Sequence, residues 1–359
     1  PHPACFLRLR KGRHSRMRRL QGMPQATLHT PTLTAKLAFL QRQDAYGENT
    51  RALQCLETHM SWVFLLEHQV YKLKKPVCLS YLDFSTLQAR EFYCREEVRL
   101  NARMAPGIYL GVVALTWDGN TFRLVPDTSL PALGDTVDWL VHMRRVPHPR
   151  MLLQLISRHQ VKRTDMAPLI ELLTKFYRTA PLAPLSEDDY LARFRQEQAC
   201  NREVLLHPRF GLPQAEIGIE HLDHALTQCT PLLRKRVRLH HVVDGHGDLR
   251  PDHVFLLHPP VVIDCLEFNA SLRQVDPMEE MSYLSLECDM VGAGWLGQHV
   301  TRAVAKALGD VPPLALLHFY TAHRALLRAR LALAHLLDPQ PRTPHKWQAL
   351  ANQYLACSL

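Results

Sequence analysis

The sequence predicts an α+β protein with a small N-terminal lobe built on a β-sheet and a mainly helical C-terminal lobe. Three observations predict it. The chain has 359 residues, of which 47% are hydrophobic, and this is enough for two packed cores. Strand patterns and turn signals dominate up to about residue 145, and helical apolar spacing dominates after it. We therefore expect a basic tail at 1–34, an N-terminal lobe at 35–145 and a C-terminal lobe at 146–359.

The N-terminal lobe is expected to begin with a helix from Lys36 to about Asp44. The segment 61–77 follows and predicts two strands joined by a turn at 67–69. Ser85, with Gln88 three residues later, has the spacing of a capping box and predicts the start of a helix that ends before Pro106. A hairpin over 108–126, turned at 118–120, and a strand from Val137 complete the lobe.

The C-terminal lobe shows apolar residues at helical intervals in several blocks. Asp276 as N-cap, Pro277 at the first helical position and Glu279 at the third form a complete helix start, which needs no catalytic explanation. Gly292, Gly294 and Gly297 spell GxGxxG, but without a βαβ context we interpret them as a loop between helices. The apolar spacing predicts helices over 150–158, 166–178, 187–206, 215–236, 278–291, 296–308 and 314–336.

Two aspartates between these helical blocks carry the main functional signal. Val261, Val262 and Ile263 form a short apolar strand that delivers Asp264 at its end, and His246-Gly247-Asp248 lies in a loop that Pro251 stiffens. Phosphoryl transfer needs one carboxylate to orient and deprotonate a hydroxyl, another to hold Mg²⁺, and a lysine on the nucleotide phosphates. The pair therefore indicates phosphotransferase chemistry.

The motifs HGDLRPDH and VVID resemble those of the aminoglycoside phosphotransferase and choline kinase group. Together with ETHMSWVFL, they are similar to the phosphotransferase-like domain of bacterial proteins that often carry a second, P-loop domain. The resemblance covers most residues from 35 to 335. It implies a bilobal protein-kinase-like fold and an ATP- and Mg-dependent transfer of the γ-phosphoryl group to the hydroxyl of a small-molecule acceptor. No Walker motif occurs in this chain, so a P-loop ATPase half of this kind would be either absent or a separate partner.

The resemblance implies roles for residues of both segments. Asp248, beside His246, would be the catalytic base, and Asp264 would bind the metal. His253 stands where the group carries a metal-binding Asn, and an imidazole is a poor Mg²⁺ ligand. Either one metal suffices, or a carboxylate such as Glu267 supplies the missing contact; both alternatives remain open.

The remaining nucleotide groups are expected in the N-terminal lobe. Lys72 and Lys74 share a strand face, so either can reach the phosphates; the resemblance favours Lys72 and implies Glu97 as its partner. The segment 57–61 contains no glycine, so a loop covering ATP would use Ser61, Thr58 or backbone amides. Residues 141–145 are expected to form a hinge whose backbone meets adenine.

Composition argues against other classes of protein. The net charge is +9, but residues 1–20 hold seven Arg and Lys and no acid, which leaves 36 basic against 34 acidic residues. Nucleic-acid binding is therefore not expected, and the tail is interpreted as a vector remnant or an over-extended translation start. No apolar run is long enough for a membrane span. Nine scattered cysteines without a CxxC pair suit a reducing cytoplasm.

Two alternative functions remain from the sequence. Histidines and aspartates crowd residues 240–258, a composition that suits a metal-dependent hydrolase, although no HExxH motif is present. A regulatory module that binds nucleotide without turnover is the other alternative. The missing glycine loop and His253 favour it, whereas Asp248, Asp264 and Lys72 oppose it.

Overall fold

A computed structural model of the chain describes residues 30–47, 52–79, 82–337 and 343–359. The chain divides into two compact units. The N-terminal unit contains the described residues up to Ala102, together with Pro106–Val146 and the short segment Glu267–Asn269. The C-terminal unit contains Arg103–Ala105, Pro147–Leu266 and Ala270–Leu359. Residues 1–29 of the predicted basic tail lie outside the described residues.

The N-terminal unit is built on an antiparallel sheet, as predicted. The elements are α1 (Leu33–Leu40), β1 (Gln54–Glu57), β2 (Ser61–Leu65), β3 (Gln69–Lys74), β4 (Cys78–Leu79), β5 (Leu82–Asp83), α2 (Leu87–Asn101), β6 (Tyr109–Trp117), β7 (Phe122–Pro126) and β8 (Asp135–Arg144). Six strands form the sheet in the order β1-β2-β3-β8-β6-β7, and β4 pairs separately with β5 in antiparallel fashion. Strands β1, β4 and β5 were not predicted.

The two faces of β3 meet different surroundings because successive side chains of a strand point to opposite faces. Tyr71 and Leu73 join Leu40 of α1 in a hydrophobic cluster. Lys72 and Lys74 point to the other face, where both contact Glu97 of α2. The expectation that the two lysines share a face is confirmed.

Two local predictions in this unit were wrong. The N-cap of α2 is Thr86, whose side chain accepts a hydrogen bond from the Ala89 amide; Ser85 instead donates its hydroxyl to Asp83. Residues 141–144 are not a connecting hinge but lie inside β8, paired with β3 on one side and β6 on the other. A central strand and a buried strand entering a loop have the same apolar pattern, so the sequence could not separate them.

A helix lies at each helical block predicted for the C-terminal unit. The elements are α3 (Leu152–Ser157), α4 (Ala167–Thr179), α5 (Glu187–Leu205), α6 (Pro213–Arg238), β9 (Val243–Asp244), β10 (Val254–Phe255), β11 (Val261–Val262), β12 (Gln274–Val275), α7 (Pro277–Met290), α8 (Gly294–Leu308), α9 (Leu314–Ala334) and α10 (Pro344–Cys357). The sequence did not indicate α10, because its buried positions are few. Short strand pairs accompany the aspartate segment: β10 pairs with β11, and β9 with β12.

Helix α7 starts as predicted, with the Asp276 side chain accepting a hydrogen bond from the Met278 amide. The glycine-rich segment is only partly the expected loop. Gly292 lies between α7 and α8, but Gly297 lies inside α8, where an added Cβ would come within 2.4 Å of the Ser285 backbone. Gly297 therefore allows α8 to pack closely against α7. Within the described ranges, no helix has both the length and the apolarity that crossing a membrane requires.

Candidate functional site

The N-terminal unit brings together two lysines and two carboxylates. Lys72 Nζ lies 2.9 Å from Glu97 Oε1, and Lys74 Nζ lies 2.6 Å from Glu97 Oε2. Lys74 also forms an ion pair with Glu267. The Lys72 side chain is 18% exposed, whereas that of Lys74 is fully buried. Lys72 is thus the lysine of this pair that solvent can reach.

Lys74 is held in its charged form. Burial lowers its pKa, but Glu267 and Glu97 outweigh that effect and raise the pKa above its ordinary value. Its ammonium also lies 5.0 Å from the Phe84 ring centroid. Glu267, which the sequence offered as a metal ligand, is engaged with Lys74 inside the N-terminal unit.

The segment between β1 and β2 is a tight turn closed by its own residues. The Thr58 amide donates to the Ser61 carbonyl at 2.9 Å, and the Ser61 amide donates to the Thr58 hydroxyl at 3.0 Å. Ser61 itself is buried and lies opposite Lys74 in the sheet. The amides of Thr58 and Ser61 therefore donate their hydrogen bonds within the turn.

In the C-terminal unit, residues 245–253 form a loop that we call the Asp248 loop. Gly247 has φ +89°, a conformation that L side chains rarely adopt, and an added Cβ would come within 2.9 Å of Leu266. The Glu280 carboxylate of α7 accepts hydrogen bonds from the amides of His246 and Gly247. It also accepts one from the Tyr177 hydroxyl at 2.9 Å. A buried acid on α7 thus fixes the loop.

His246 braces the loop from inside. It is completely buried, and burial lowers its pKa to about 4, so the ring is neutral near pH 7. Its Nε2 lies 2.9 Å from the Ile263 carbonyl, and its Nδ1 accepts the Asp248 amide at 3.2 Å. These contacts fix the tautomer with the proton on Nε2.

The Asp248 carboxylate is part-exposed and is held by one hydrogen bond and one ion pair. Tyr283 of α7 donates its hydroxyl to Oδ1 at 3.0 Å, and Arg250 Nε lies 3.1 Å from the same oxygen. Burial raises the pKa of Asp248, but the neighbouring charges, that of the Arg250 guanidinium foremost, outweigh this effect, so the net shift is downward. Asp248 is therefore ionised at neutral pH, in a fixed orientation.

His253 contacts both aspartates. Its Nδ1 donates to the Asp248 carbonyl at 2.8 Å, and its Nε2 lies 3.0 Å from Arg250 Nη2 and 3.6 Å from Asp264 Oδ2. Because Nδ1 carries the proton, Nε2 offers its lone pair to the Arg250 guanidinium. The imidazole is thus committed to protein partners and positions the loop.

Asp264 follows β11, as the sequence predicts, in a left-handed conformation with φ +63°. Its side chain is 49% exposed. Asp is one of the few residues other than glycine that enter this conformation readily, and it aims a carboxylate outward from a buried strand. A half-exposed hard oxygen donor suits Mg²⁺, which commonly takes only one or two carboxylates and completes its shell with water and phosphate oxygens.

The structure does not support the metal-hydrolase alternative. Among the described residues, no three His, Cys, Asp or Glu side chains lie close enough together to hold a metal ion. The histidines of residues 240–258 do not share one site: His241 lies 3.9 Å from Asp310, whereas His253 lies beside Asp248 and Asp252.

Sequence reasoning missed the residues of α7 and α9 that support the Asp248 loop. Glu280 and Tyr283 of α7 contact it directly, and Arg324 of α9 donates to the Gly247 carbonyl at 3.3 Å. The sequence signal that could have identified these residues is periodicity. Polar residues at helical intervals in otherwise buried helices lie on one face, and buried polar groups need partners.

Comparison with curated proteins finds uncharacterized proteins of Mycobacterium bovis and Mycobacterium tuberculosis. Each is 29% identical over 293 residues, which is 79% of this chain and 55% of the relative. The chain thus spans about half the length of the curated relatives that it matches. No protein-family model matches the sequence.

Comparison with solved structures gives the fold. The GDP and kanamycin complex of the aminoglycoside phosphotransferase APH(2″)-IIIa matches 90% of this chain and 98% of its own, with 15% identity and a TM-score of 0.52. A choline/ethanolamine kinase family protein from Mesorhizobium loti matches 91% of this chain and 94% of its own, with 15% identity and a TM-score of 0.51. The chain therefore has the fold of the aminoglycoside phosphotransferases and choline/ethanolamine kinases.

Proposed function

We propose that the chain is an ATP- and Mg²⁺-dependent phosphotransferase that transfers the γ-phosphoryl group to the hydroxyl of a small-molecule acceptor. The observation that carries the proposal is the arrangement in the C-terminal unit. An ionised, oriented Asp248 and a half-exposed Asp264 in a left-handed conformation both contact His253. The fold is shared with a phosphotransferase whose solved structure contains GDP, which supports a nucleotide as the donor.

Asp248 is proposed to orient the acceptor hydroxyl and to receive its proton. Its lowered pKa makes it a weak base, which suits a loose transition state in which the hydroxyl gives up its proton late. Tyr283 and Arg250 fix the carboxylate, and Glu280 and His246 fix the loop. Most of the contribution is therefore positioning.

Asp264 is proposed as the Mg²⁺ ligand and Lys72 as the residue that binds the nucleotide phosphates. Mg²⁺, when bound, would neutralise the charge that develops on the phosphate oxygens. Glu97 holds Lys72, and the Lys74–Glu267 pair supports Glu97 from the buried side. We propose a positioning role for His253, because its ring nitrogens already have protein partners.

The test is Mg²⁺-dependent binding of ATP, and of GTP in parallel, by calorimetry. Lys72→Met and Asp264→Asn should each weaken binding by about tenfold or more; Asn is chosen because it tolerates the left-handed backbone at this position. Lys75→Met and Asp188→Asn are the matched controls, since Lys75 pairs with Glu57 and the exposed Asp188 pairs with Arg234, away from Lys72 and Asp264.

Turnover is tested separately with Asp248→Asn. This variant should keep nucleotide binding and lose about a hundredfold or more of Mg²⁺-ATP turnover, measured as ADP release with and without an acceptor panel. Binding without turnover in the unmodified protein would indicate the regulatory module instead. Absence of any Mg²⁺-dependent nucleotide binding would contradict the proposal.

A further inference from the structure

Helices α7 and α9 of the C-terminal unit carry matched polar residues along the faces by which they contact each other. On α9, Tyr320, Arg324 and Arg328 follow at intervals of four, so they lie on one face. On α7, Tyr283 and Glu287 are likewise four residues apart. The contacting faces thus carry polar groups at two levels about 5–6 Å apart along the helices. The inner level is formed by Tyr283 and Arg324, and the outer level by Glu287 and Arg328.

The inner level holds the Asp248 loop. Tyr283 donates to Asp248, Arg324 donates to the Gly247 carbonyl, and the Arg324 guanidinium lies 4.9 Å from the centre of the Tyr283 ring. Arg324 also forms an ion pair with Glu279 at 2.8 Å and is buried. This level therefore supports the protein and has little surface left for a ligand.

The outer level is built differently. Arg328 Nε lies 3.0 Å from Glu287 Oε1 and 3.2 Å from the Tyr354 hydroxyl, and Tyr354 donates to the same Glu287 oxygen at 2.7 Å. The Arg328 side chain is 20% exposed. Its two Nη atoms donate no hydrogen bond to any residue that the structure describes, and they are not among the buried atoms without partners.

A guanidinium fixed in this way is pre-organised. Its Nε edge is held by Glu287 and Tyr354 of two different helices, and its Nη edge remains for a ligand. A planar pair of N–H donors matches a carboxylate or a phosphate better than it matches a neutral or cationic group. The positive charge of Arg328 also acts on Asp248, where it helps to lower the pKa.

We propose that Arg328 is a specificity residue that binds an anionic group, carboxylate or phosphate, on the acceptor whose hydroxyl Asp248 orients. This inference rests on the proposed phosphotransferase function. The separation of the two levels corresponds to a hydroxyl and an acid group a few bonds apart on one small molecule. The acceptor is therefore a hydroxy acid or a phosphorylated alcohol.

The experiment measures ADP release from Mg²⁺-ATP with matched acceptors of different charge. Glycerate, gluconate and glucose 6-phosphate are compared with the neutral glycerol and glucose and with the cationic choline. The unmodified protein should use at least one anionic acceptor with a kcat/KM about ten- to hundredfold above its neutral analogue. The carboxylate and phosphate members then distinguish the two kinds of anion.

Arg328→Gln should remove this preference through KM while leaving Mg²⁺-ATP binding unchanged. Because Gln would leave Glu287 without its cation, the double variant Arg328→Gln/Glu287→Gln and the charge-conserving Arg328→Lys are measured beside it; Lys should keep part of the preference. Arg302→Gln on α8 is the matched control, since Arg302 is more exposed and bonds Gln298 on its own helix.

The outcomes separate the two proposals. If the unmodified protein showed no Mg²⁺-dependent nucleotide binding, the proposed phosphotransferase function itself would be contradicted. Nucleotide binding with equal or better use of neutral or cationic acceptors, no stimulation by any anionic acceptor, or an unchanged preference in a folded Arg328→Gln variant would each overturn the assignment of Arg328 and leave the function in place.

Discussion

The hydroxyl of Tyr283 donates a hydrogen bond to Oδ1 of Asp248 at 3.0 Å. Tyr283 is almost completely buried in α7, four residues before Glu287 and three after Glu280. One helical face thus contacts the loop backbone, the catalytic carboxylate proposed here and the Arg328 guanidinium. The position of Asp248 depends on a helix some 30 residues further along the chain.

Tyr283→Phe should lower turnover of Mg²⁺-ATP about tenfold with little loss of stability, because the ring remains under Arg324 while the donor is lost. A hydrogen bond to the charged form lowers a pKa, so its removal raises the pKa of Asp248 and moves the acidic limb of the pH–rate profile to higher pH. Turnover is measured between pH 5 and 8, with Tyr46→Phe as the control. An unchanged profile would show that the bond does not act on Asp248.

Lys74→Met should destabilise the protein by about 3–5 kcal/mol, because it leaves the buried Glu267 carboxylate without its ion-pair partner and Glu97 with Lys72 alone. Lys72→Met should cost less, since Lys72 is part-exposed and Glu97 keeps Lys74 as a partner. Urea unfolding at pH 7 measures both, and Lys74→Met/Glu267→Gln should recover part of the loss. Equal destabilisation by the two single variants would contradict this division between a binding lysine and a structural one.

His246 should make the fold sensitive to mild acid. Its pKa falls from an ordinary value of 6.5 to about 4 in the folded protein, so its contribution to stability is complete above pH 6.5 and is lost as the pH falls toward 4. At pH 5 the loss is about 2 kcal/mol. His246→Gln lacks this titration, so its free energy of unfolding should fall less between pH 8 and pH 5. The same pH dependence in both proteins would show that His246 is not held neutral.

The confirmed predictions come from local patterns. The strand alternation around Lys72 and Lys74 placed both on one face, and the helix-start signal at Asp276 was correct. The misplaced cap shows the limit of such patterns. Ser85 and Thr86 are both good caps, and the choice of Thr86 depends on Asp83, which takes the Ser85 hydroxyl.

By itself, the sequence determined the α+β class, the order of the main helices and strands, and the loop and strand that present Asp248 and Asp264. Periodicity and turn chemistry act over a few residues, so they can be read from the chain. Only the tertiary structure decided that Glu267 pairs with Lys74, that Glu280 and Tyr283 hold the Asp248 loop, and that Arg328 keeps free Nη donors among the described residues. These contacts join groups that are tens to hundreds of residues apart. Their geometry depends on how buried charges find partners when the helices and strands pack, and no local pattern encodes that pairing.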